Sequence, residues 1–132
     1  MKIIDGENAV LGRLASFVAK ESLKGEEIVI LNSEKVIISG KRKSIENEMK
    51  VKRARKGSSQ KSPLYPTQSF KIVKRTIRGM LPNARTGRGR EALNRIKCYN
   101  GIPKEFEKSE KMKIHSDKKI KSSNLQEILK NI

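Results

Sequence analysis

The sequence predicts an α/β domain built on a parallel β-α-β unit. Three observations support this prediction: a β-branched apolar segment, KIID at 2–5; an amphipathic helical segment after it; and a nearly all-apolar segment, EEIVIL at 26–31. A strand, a helix and a strand in this order and at this spacing are typical of two parallel strands joined by a crossover helix. The chain has 132 residues, which suits one compact domain, so we expect a single domain over residues 1–132.

The elements of this unit follow from the spacing of apolar residues. One helical face is predicted for Leu11, Leu14, Ala15, Val18 and Ala19. Asn8 is expected to cap this helix and Gly25 to end it. The run at 26–31 fits a strand that is covered on both faces. EKVIISG at 34–40 is predicted as a further strand.

The middle of the chain is predicted as two basic helices joined by a loop. Residues 41–56 are helix-compatible, with an apolar stripe of Ile45 and Met49 alone, and 57–69 is a loop marked by glycine and proline. Residues 70–81 form a two-faced helix. Its apolar side is expected to contain Phe70, Val73, Ile77, Met80 and Leu81. Its cationic side is expected to contain Lys71, Lys74, Arg75 and Arg78.

The remaining segments alternate between loop, helix and strand signals. Residues 83–90 are predicted as an arginine loop, 89–96 as a helix and 96–101 as a strand. The Lys-rich segment 104–121 is predicted as an irregular extension, with 112–115 a candidate short strand. Ser123 and Gln126 fit a capping box. A C-terminal helix over about 123–131 is therefore expected to pack on the core through Leu125, Ile128, Leu129 and Ile132.

The charge of the chain is concentrated in its middle. The net charge is +17, but residues 1–40 carry five basic and six acidic residues, whereas 50–97 carry fifteen basic residues and one acid, Glu91. A surface that is merely solvated usually mixes both signs. The segment at about 41–95 is therefore predicted to face a polyanion, with nucleic acid favoured over an anionic membrane.

Several classes of protein are disfavoured by what the sequence lacks. It contains no run near the ~18 apolar residues of a membrane span, and its first residues do not form a signal peptide, so we expect a soluble cytosolic protein. One cysteine and one histidine make neither a disulfide nor a zinc cluster. Cys98 is predicted to pack as a small buried hydrophobe, and His115 to be solvated or to face phosphate.

Two short motifs resemble nucleotide-binding loops in letters only. Gly87-x-Gly89-x-x-Ala92 follows a Pro82 loop rather than a strand, and no acid lies about 20 residues further on to bind a ribose. Its glycines are expected instead to let the backbone approach phosphates. GKRKS at 40–44 lacks the upstream glycine of a phosphate loop, because position 35 is Lys. No cofactor is predicted.

The sequence favours a binding protein over an enzyme. The carboxylates near the basic segment are Glu46, Glu48 and Glu91, which is too few for a metal nuclease or an acid–base pair. The few aromatic residues argue against a base-stacking platform and favour folded RNA bound by its backbone. The alternatives are an RNA-processing enzyme or nuclease subunit, which requires turnover dependent on Glu91 or His115, and a basic protein that lies on an anionic membrane through the 70–81 helix.

Several longer motifs, in order along the chain, resemble a known family. KRTIRGMLP (74–82) and GRGREALNRIKCYNGIP (87–103) closely resemble the signature of the universal L-thirteen family of large-subunit ribosomal proteins. IIDGENAVLGRLAS (3–16) and EIVILNSEKVIISG (27–40) resemble its opening strands and helix. The resemblance covers residues 3–103. The segment RTIRGMLP at 75–82 resembles the archaeal and eukaryotic branch of the family.

The resemblance implies a three-layer α/β/α fold around a small, mostly parallel four-stranded sheet, with basic extensions. It also implies a structural, non-enzymatic protein of the cytoplasmic ribosome, whose partners are large-subunit ribosomal RNA and neighbouring ribosomal proteins, with no membrane and no small-molecule substrate. The resemblance implies that residues 74–82 and 87–90 contact RNA. Positive charge alone extends this prediction to the other residues. The predicted RNA-binding residues are Lys41, Arg42, Lys43, Arg53, Arg55, Lys61, Lys71, Lys74, Arg75, Arg78, Arg85, Arg88 and Arg90.

Overall fold

The computed structural model describes residues 1–55, 63–114 and 121–132. Within these ranges the α-helices are α1 (Leu11–Leu23), α2 (Arg42–Ala54), α3 (Ser69–Met80), α4 (Gly87–Asn94) and α5 (Leu125–Lys130). The strands are β1 (Lys2–Asp5), β2 (Ile28–Leu31), β3 (Ile37–Ser39), β4 (Ile96–Cys98), β5 (Met112–Lys113) and β6 (Ser122–Asn124). Short 3₁₀ turns occupy Ser33–Lys35 and Lys104–Phe106.

The main sheet has four parallel strands in the order β4-β2-β1-β5. All four residues of β2 are buried, as expected for a strand with neighbours on both sides and cover on both faces. In the register, Ile30 lies between Ile4 of β1 and Cys98 of β4. The α/β class, the parallel β-α-β unit and the small four-stranded sheet are therefore confirmed.

The predicted strand at 34–40 is wrong over its first half. Asn32 has a left-handed backbone (φ 53°), and the chain turns out of the sheet there through the 3₁₀ turn. The Asn32 side-chain amide donates to the Asp5 carboxylate at 2.8 Å, which holds the turn. What remains, β3, pairs antiparallel with β6 in a separate two-stranded sheet. The fourth strand of the main sheet is β5, within the candidate segment 112–115.

Helix α1 has the predicted core face but not the predicted start. Leu14, Ala15, Val18 and Ala19 are buried. The helix begins after Val10, so the expected cap at Asn8 is wrong; Asn8 takes a left-handed turn (φ 58°) two residues earlier. Gly25 ends the helix as predicted. Its backbone is left-handed (φ 101°), and its N–H donates to the Ser22 carbonyl at 3.1 Å.

The C-terminal helix is present, but its start differs from the prediction. The capping box is wrong, because Ser123 is buried in β6 and α5 begins at Leu125 without a side-chain cap. The Leu125 N–H donates to the Val36 carbonyl at 2.8 Å, so strand pairing fixes this end of the helix. Leu125 and Ile128 are fully buried in one core with residues of β1, β2 and α1.

The described helices do not include a membrane span. None of them is both long enough and apolar enough to cross a bilayer. The predictions for Lys61 and His115, and for residues 57–62 of the loop at 57–69, lie outside the described residues.

Candidate nucleic-acid interface

Helix α3 is the element on which the candidate site is built. Its buried side is formed by Ile72, Val73 and Ile77, which pack in the core. The sequence prediction missed Ile72 and placed Met80 on this side wrongly. Met80 is 44% exposed, because the helix ends there and extended Leu81 takes the buried position instead.

The four predicted cations of α3 divide into two pairs. Lys71 and Arg78 are exposed, and among the described residues neither is paired with a carboxylate. Lys74 and Arg75 are half-buried and bond to the fold. The Lys74 ammonium donates to the Ile96 carbonyl at 2.9 Å, at the start of β4.

Arg75 holds the segment that precedes α3. Its guanidinium donates to the Leu64 carbonyl at 3.1 Å and lies 5.2 Å from the centre of the Tyr65 ring. An arginine in this position combines a directed hydrogen bond with a cation–π contact. Lys52 of α2 approaches the same ring at 6.0 Å, so Tyr65 joins α2 to α3. The sequence prediction missed Lys52.

Three adjoining hollows form a continuous surface across these elements, which we call the basic groove. The central hollow, of about 310 Å³, is lined by Leu64, Pro66, Lys71, Lys74, Arg75, Arg78 and Leu93. A second, of about 290 Å³, shares Arg75 and adds Lys52, Arg55, Pro63 and Tyr65. A third, of about 400 Å³, shares Arg78 and Leu93 and adds Asn83, Ala84 and Arg85. No acidic residue of the described chain is among the groove's lining residues.

A separate basic hollow lies at the start of α2. It has a volume of about 400 Å³ and is lined by Gly40, Lys41, Arg42, Lys43, Lys121, Ser122 and Ser123. Lys121 joins it because the Gly40 N–H donates to the Lys121 carbonyl at 2.9 Å, next to the β3–β6 pair. The sequence prediction had no local signal for this pairing and missed Lys121.

Arg42 is largely engaged within the protein. Its Nε donates to Glu46 at 2.8 Å, and its Nη1 lies 3.4 Å from Glu127 of α5. The hydrogen bond with Glu46 raises the pKa of Arg42, and the same bond, with a second from Asn131 at 3.1 Å, lowers the pKa of Glu46. Arg42 thus fastens α2 to α5.

The glycines at 87 and 89 belong to a helix rather than a loop. The predicted arginine loop at 83–90 ends at Thr86, because Gly87–Asn94 is helical. A Cβ at Gly89 would lie 1.6 Å from the Pro82 carbonyl oxygen, so this buried glycine packs against its own chain. Close packing against Pro82 is thus sufficient to require glycine at position 89, and approach to phosphate by these glycines stays a prediction. Arg85, Arg88 and Arg90 are exposed around this turn.

The other predicted residues differ in how far they reach solvent. Lys41, Lys43 and Arg55 are exposed. Arg53 is half-buried, and its Nε is buried without a hydrogen-bond partner among the described residues. The prediction for Cys98 as a packing residue agrees with its contact with the core; burial raises the pKa of its thiol to about 12, so it stays protonated. The described side chains do not include a cluster of three metal-ligating groups.

Comparison with known proteins identifies relatives along most of the chain. A family model described as "Ribosomal protein L13" matches residues 1–105. "Large ribosomal subunit protein uL13" of Methanopyrus kandleri is 49% identical over 107 residues, which cover 81% of this chain and 66% of that protein. The protein of the same name from Methanosarcina barkeri is 48% identical over 115 residues, covering 86% and 81%. That of Thermoplasma volcanium is 44% identical over 135 residues, covering 100% and 98%.

Proposed function

Because this chain belongs to the ribosomal protein L13 family, we propose that it is a structural constituent of the large ribosomal subunit, where it binds ribosomal RNA and acts in translation. It is not an enzyme, and its place is the cytoplasmic ribosome. The observation on which the RNA-binding role depends is the basic groove, a surface of adjoining hollows lined by cations and free of described acidic side chains.

The groove suits a phosphate backbone better than an isolated anion. Lys71 lines the central hollow, Arg85 lines the third and Arg78 lines both, so these cations extend over two adjoining hollows. Arginine binds phosphate through two parallel N–H groups, and lysine supplies a point charge. Each phosphate that such a side chain neutralises releases counterions, so affinity for RNA falls as salt rises.

The predicted RNA-binding residues have two roles in this proposal. The exposed cations contact phosphate directly: Lys41, Lys43, Arg55, Lys71, Arg78, Arg85, Arg88 and Arg90. Arg42, Lys74 and Arg75 act mainly by holding α2, α3 and the 63–66 segment in place, through the contacts with Glu127, Ile96 and Leu64. Lys61 and Arg53 are included on charge alone.

Two alternatives have less support. A membrane role would need the apolar side of α3 to enter the bilayer, but Ile72, Val73 and Ile77 are buried in the protein core. A nuclease role would need a carboxylate in the groove. Glu91 is exposed and lies 3.7 Å from Arg95 instead.

We also propose that residues 1–132 form one domain. The C-terminal helix buries Leu125 and Ile128 in the same core as the sheet. Neighbouring ribosomal proteins are proposed as its protein partners.

The function is tested by sedimenting a native lysate of the source organism through a sucrose gradient, with this protein followed by mass spectrometry. We expect it to migrate with the large subunit at about one copy per particle and to remain there after a moderate salt wash. A peak at the top of the gradient, or loss in mild salt, would contradict a structural role. The native lysate keeps the RNA and protein partners in place, so the result does not depend on choosing an RNA fragment.

A further inference from the structure

We propose that the central hollow of the basic groove receives an unpaired nucleobase, while the cations at its rim bind the phosphates on either side. This inference depends on the proposed RNA-binding role and adds a specific ligand to it. RNA bases become available in this way in loops and bulges, where they are not stacked in a helix.

Three of the seven residues that line the hollow are apolar, which a site for phosphate alone would not need. Leu64, Pro66 and Leu93 line it together with the cations of α3. Leu64 is 85% exposed, so its side chain is left in water on a strongly basic surface. The volume of about 310 Å³ is at the lower end for small-molecule sites and suits one nucleoside rather than a helix. An apolar wall is what the face of a base can contact and a phosphate cannot.

The apolar wall is held in place by the protein. The carbonyl of Leu64 accepts the hydrogen bond from Arg75 at 3.1 Å, and the next residue, Tyr65, lies against the same guanidinium. Leu93, another apolar lining residue, packs against the core from α4. The hollow is thus shaped before RNA binds, which lowers the entropic cost of inserting a nucleotide.

The charges at the rim favour a nucleotide over an apolar protein side chain. Lys71 and Arg78 are exposed beside the hollow, and in the described part of the chain no carboxylate is paired with them. A nucleotide combines an apolar ring face with an anionic phosphate. Its base can therefore contact the apolar lining residues while its phosphate binds the cations. An apolar side chain would leave both cations without a counter-charge.

The test compares Leu64→Ala with Met112→Ala in the full chain. Both remove an exposed apolar side chain, but Met112 lies in β5 and does not line the groove. The probe is large-subunit ribosomal RNA of the source organism, stripped of protein, and Kd is measured over a series of salt concentrations. We expect Leu64→Ala to weaken binding about fivefold at every salt concentration, since a base contact adds affinity without neutralising a phosphate. Met112→Ala should bind as the unmodified chain does.

Ultraviolet crosslinking of the same complex gives a second readout. It joins nucleobases to adjacent side chains, so we expect base adducts on the peptide containing residues 64–66 or on that containing Leu93.

Unchanged affinity of Leu64→Ala without such adducts would overturn the nucleobase site. If Lys71→Ala/Arg78→Ala still lowered the salt dependence in that case, RNA binding by the groove would stand. A crosslink from residue 64 to a neighbouring protein in the intact subunit would also overturn the base site. Failure of the unmodified chain to bind the RNA would overturn the proposed function itself.

Discussion

The β1-α1-β2 half of the molecule and the basic groove use charge in opposite ways. In the first region, Glu21 accepts hydrogen bonds from Lys2 and Lys24, and Lys35 bonds to Glu7 at 2.9 Å. In the groove, Lys71 and Arg78 have no such partner among the described residues. Lys2, Lys24 and Lys35 are therefore neutralised within the fold, whereas Lys71 and Arg78 are left for a ligand. The number of lysines and arginines alone does not make this distinction.

The largest expected effect is on stability and comes from replacing Gly89, which packs against Pro82. Gly89→Ala places a Cβ against the backbone of Pro82, with a separation of 1.6 Å from the carbonyl oxygen, so the turn or α4 must move. We expect a loss of about 3 kcal/mol or more in the free energy of unfolding, measured by urea denaturation.

Gly79→Ala is the matched control, because it lies within α3 and nothing lies within 4 Å of its added Cβ. Alanine is the better helix former, so this variant should gain up to about 1 kcal/mol. If both variants changed stability equally, the close contact at Gly89 would not matter.

The next effect separates the cations proposed to bind phosphate from other exposed cations. Lys71→Ala/Arg78→Ala should weaken RNA binding at low salt and reduce the slope of log K against log salt by about 1.4 to 1.8, equivalent to two phosphate contacts. Lys20→Ala/Lys130→Ala removes the same charge from exposed positions outside the groove. An equal change of slope in this control would show that net charge, rather than the groove, binds RNA.

A smaller effect distinguishes the positioning role of Arg75 from its charge. Arg75→Lys keeps the charge but loses the geometry that bonds the Leu64 carbonyl and covers Tyr65. We expect affinity for RNA to fall about fivefold with little change in the salt slope. Full affinity in Arg75→Lys would mean that only the charge of this residue matters.

The smallest expected effect is a change in thermal stability on replacing Glu21, and it depends on pH. Hydrogen bonds from Lys2 and Lys24 lower the pKa of Glu21 to about 2, from an ordinary value of 4.5. Since the folded pKa is the lower one, the stability that Glu21 adds is complete above pH 4.5 and disappears as the pH falls towards 2. Glu21→Gln should lower Tm by about 2 °C at neutral pH.

Thermal unfolding of both proteins over this pH range checks the Glu21 prediction. Their Tm values should converge in acid. A difference that stayed constant down to pH 2 would assign the effect to packing instead. RNA affinity at neutral pH should be the same for both, because Glu21 lies outside the groove.

The parts of the fold that the sequence predicts well are those whose signal is local. β1, α1, β2 and α3 each have their own apolar pattern, and the structure contains all four. The β3–β6 pair has no such pattern, because β6 is the polar segment Ser122–Asn124 and its partner lies far back in the chain. Tertiary pairing decides its conformation, and for this reason the capping box predicted at Ser123 does not form.

The candidate site shows the same division. The charge run predicts which side chains are cationic, and most of those described are exposed as expected. It does not predict that Lys74 bonds to Ile96 or Arg75 to Leu64, because these contacts depend on where β4 and the 63–66 segment lie. The role of Gly89 is also tertiary, since the atom that excludes a side chain there belongs to Pro82.

The contacts between α2 and α5 join residues far apart in the sequence, which limits when α2 can dock during synthesis. Arg42 and Glu127 are 85 residues apart, as are Glu46 and Asn131. A chain synthesised from its N-terminus can complete β1, α1 and β2 early, but α2 gains these contacts only after residue 131 has emerged. The separation also places a large loop-closure cost on docking α2. The contacts at the start of α2 therefore depend on residues 127–131 and cannot form earlier in synthesis than these residues do.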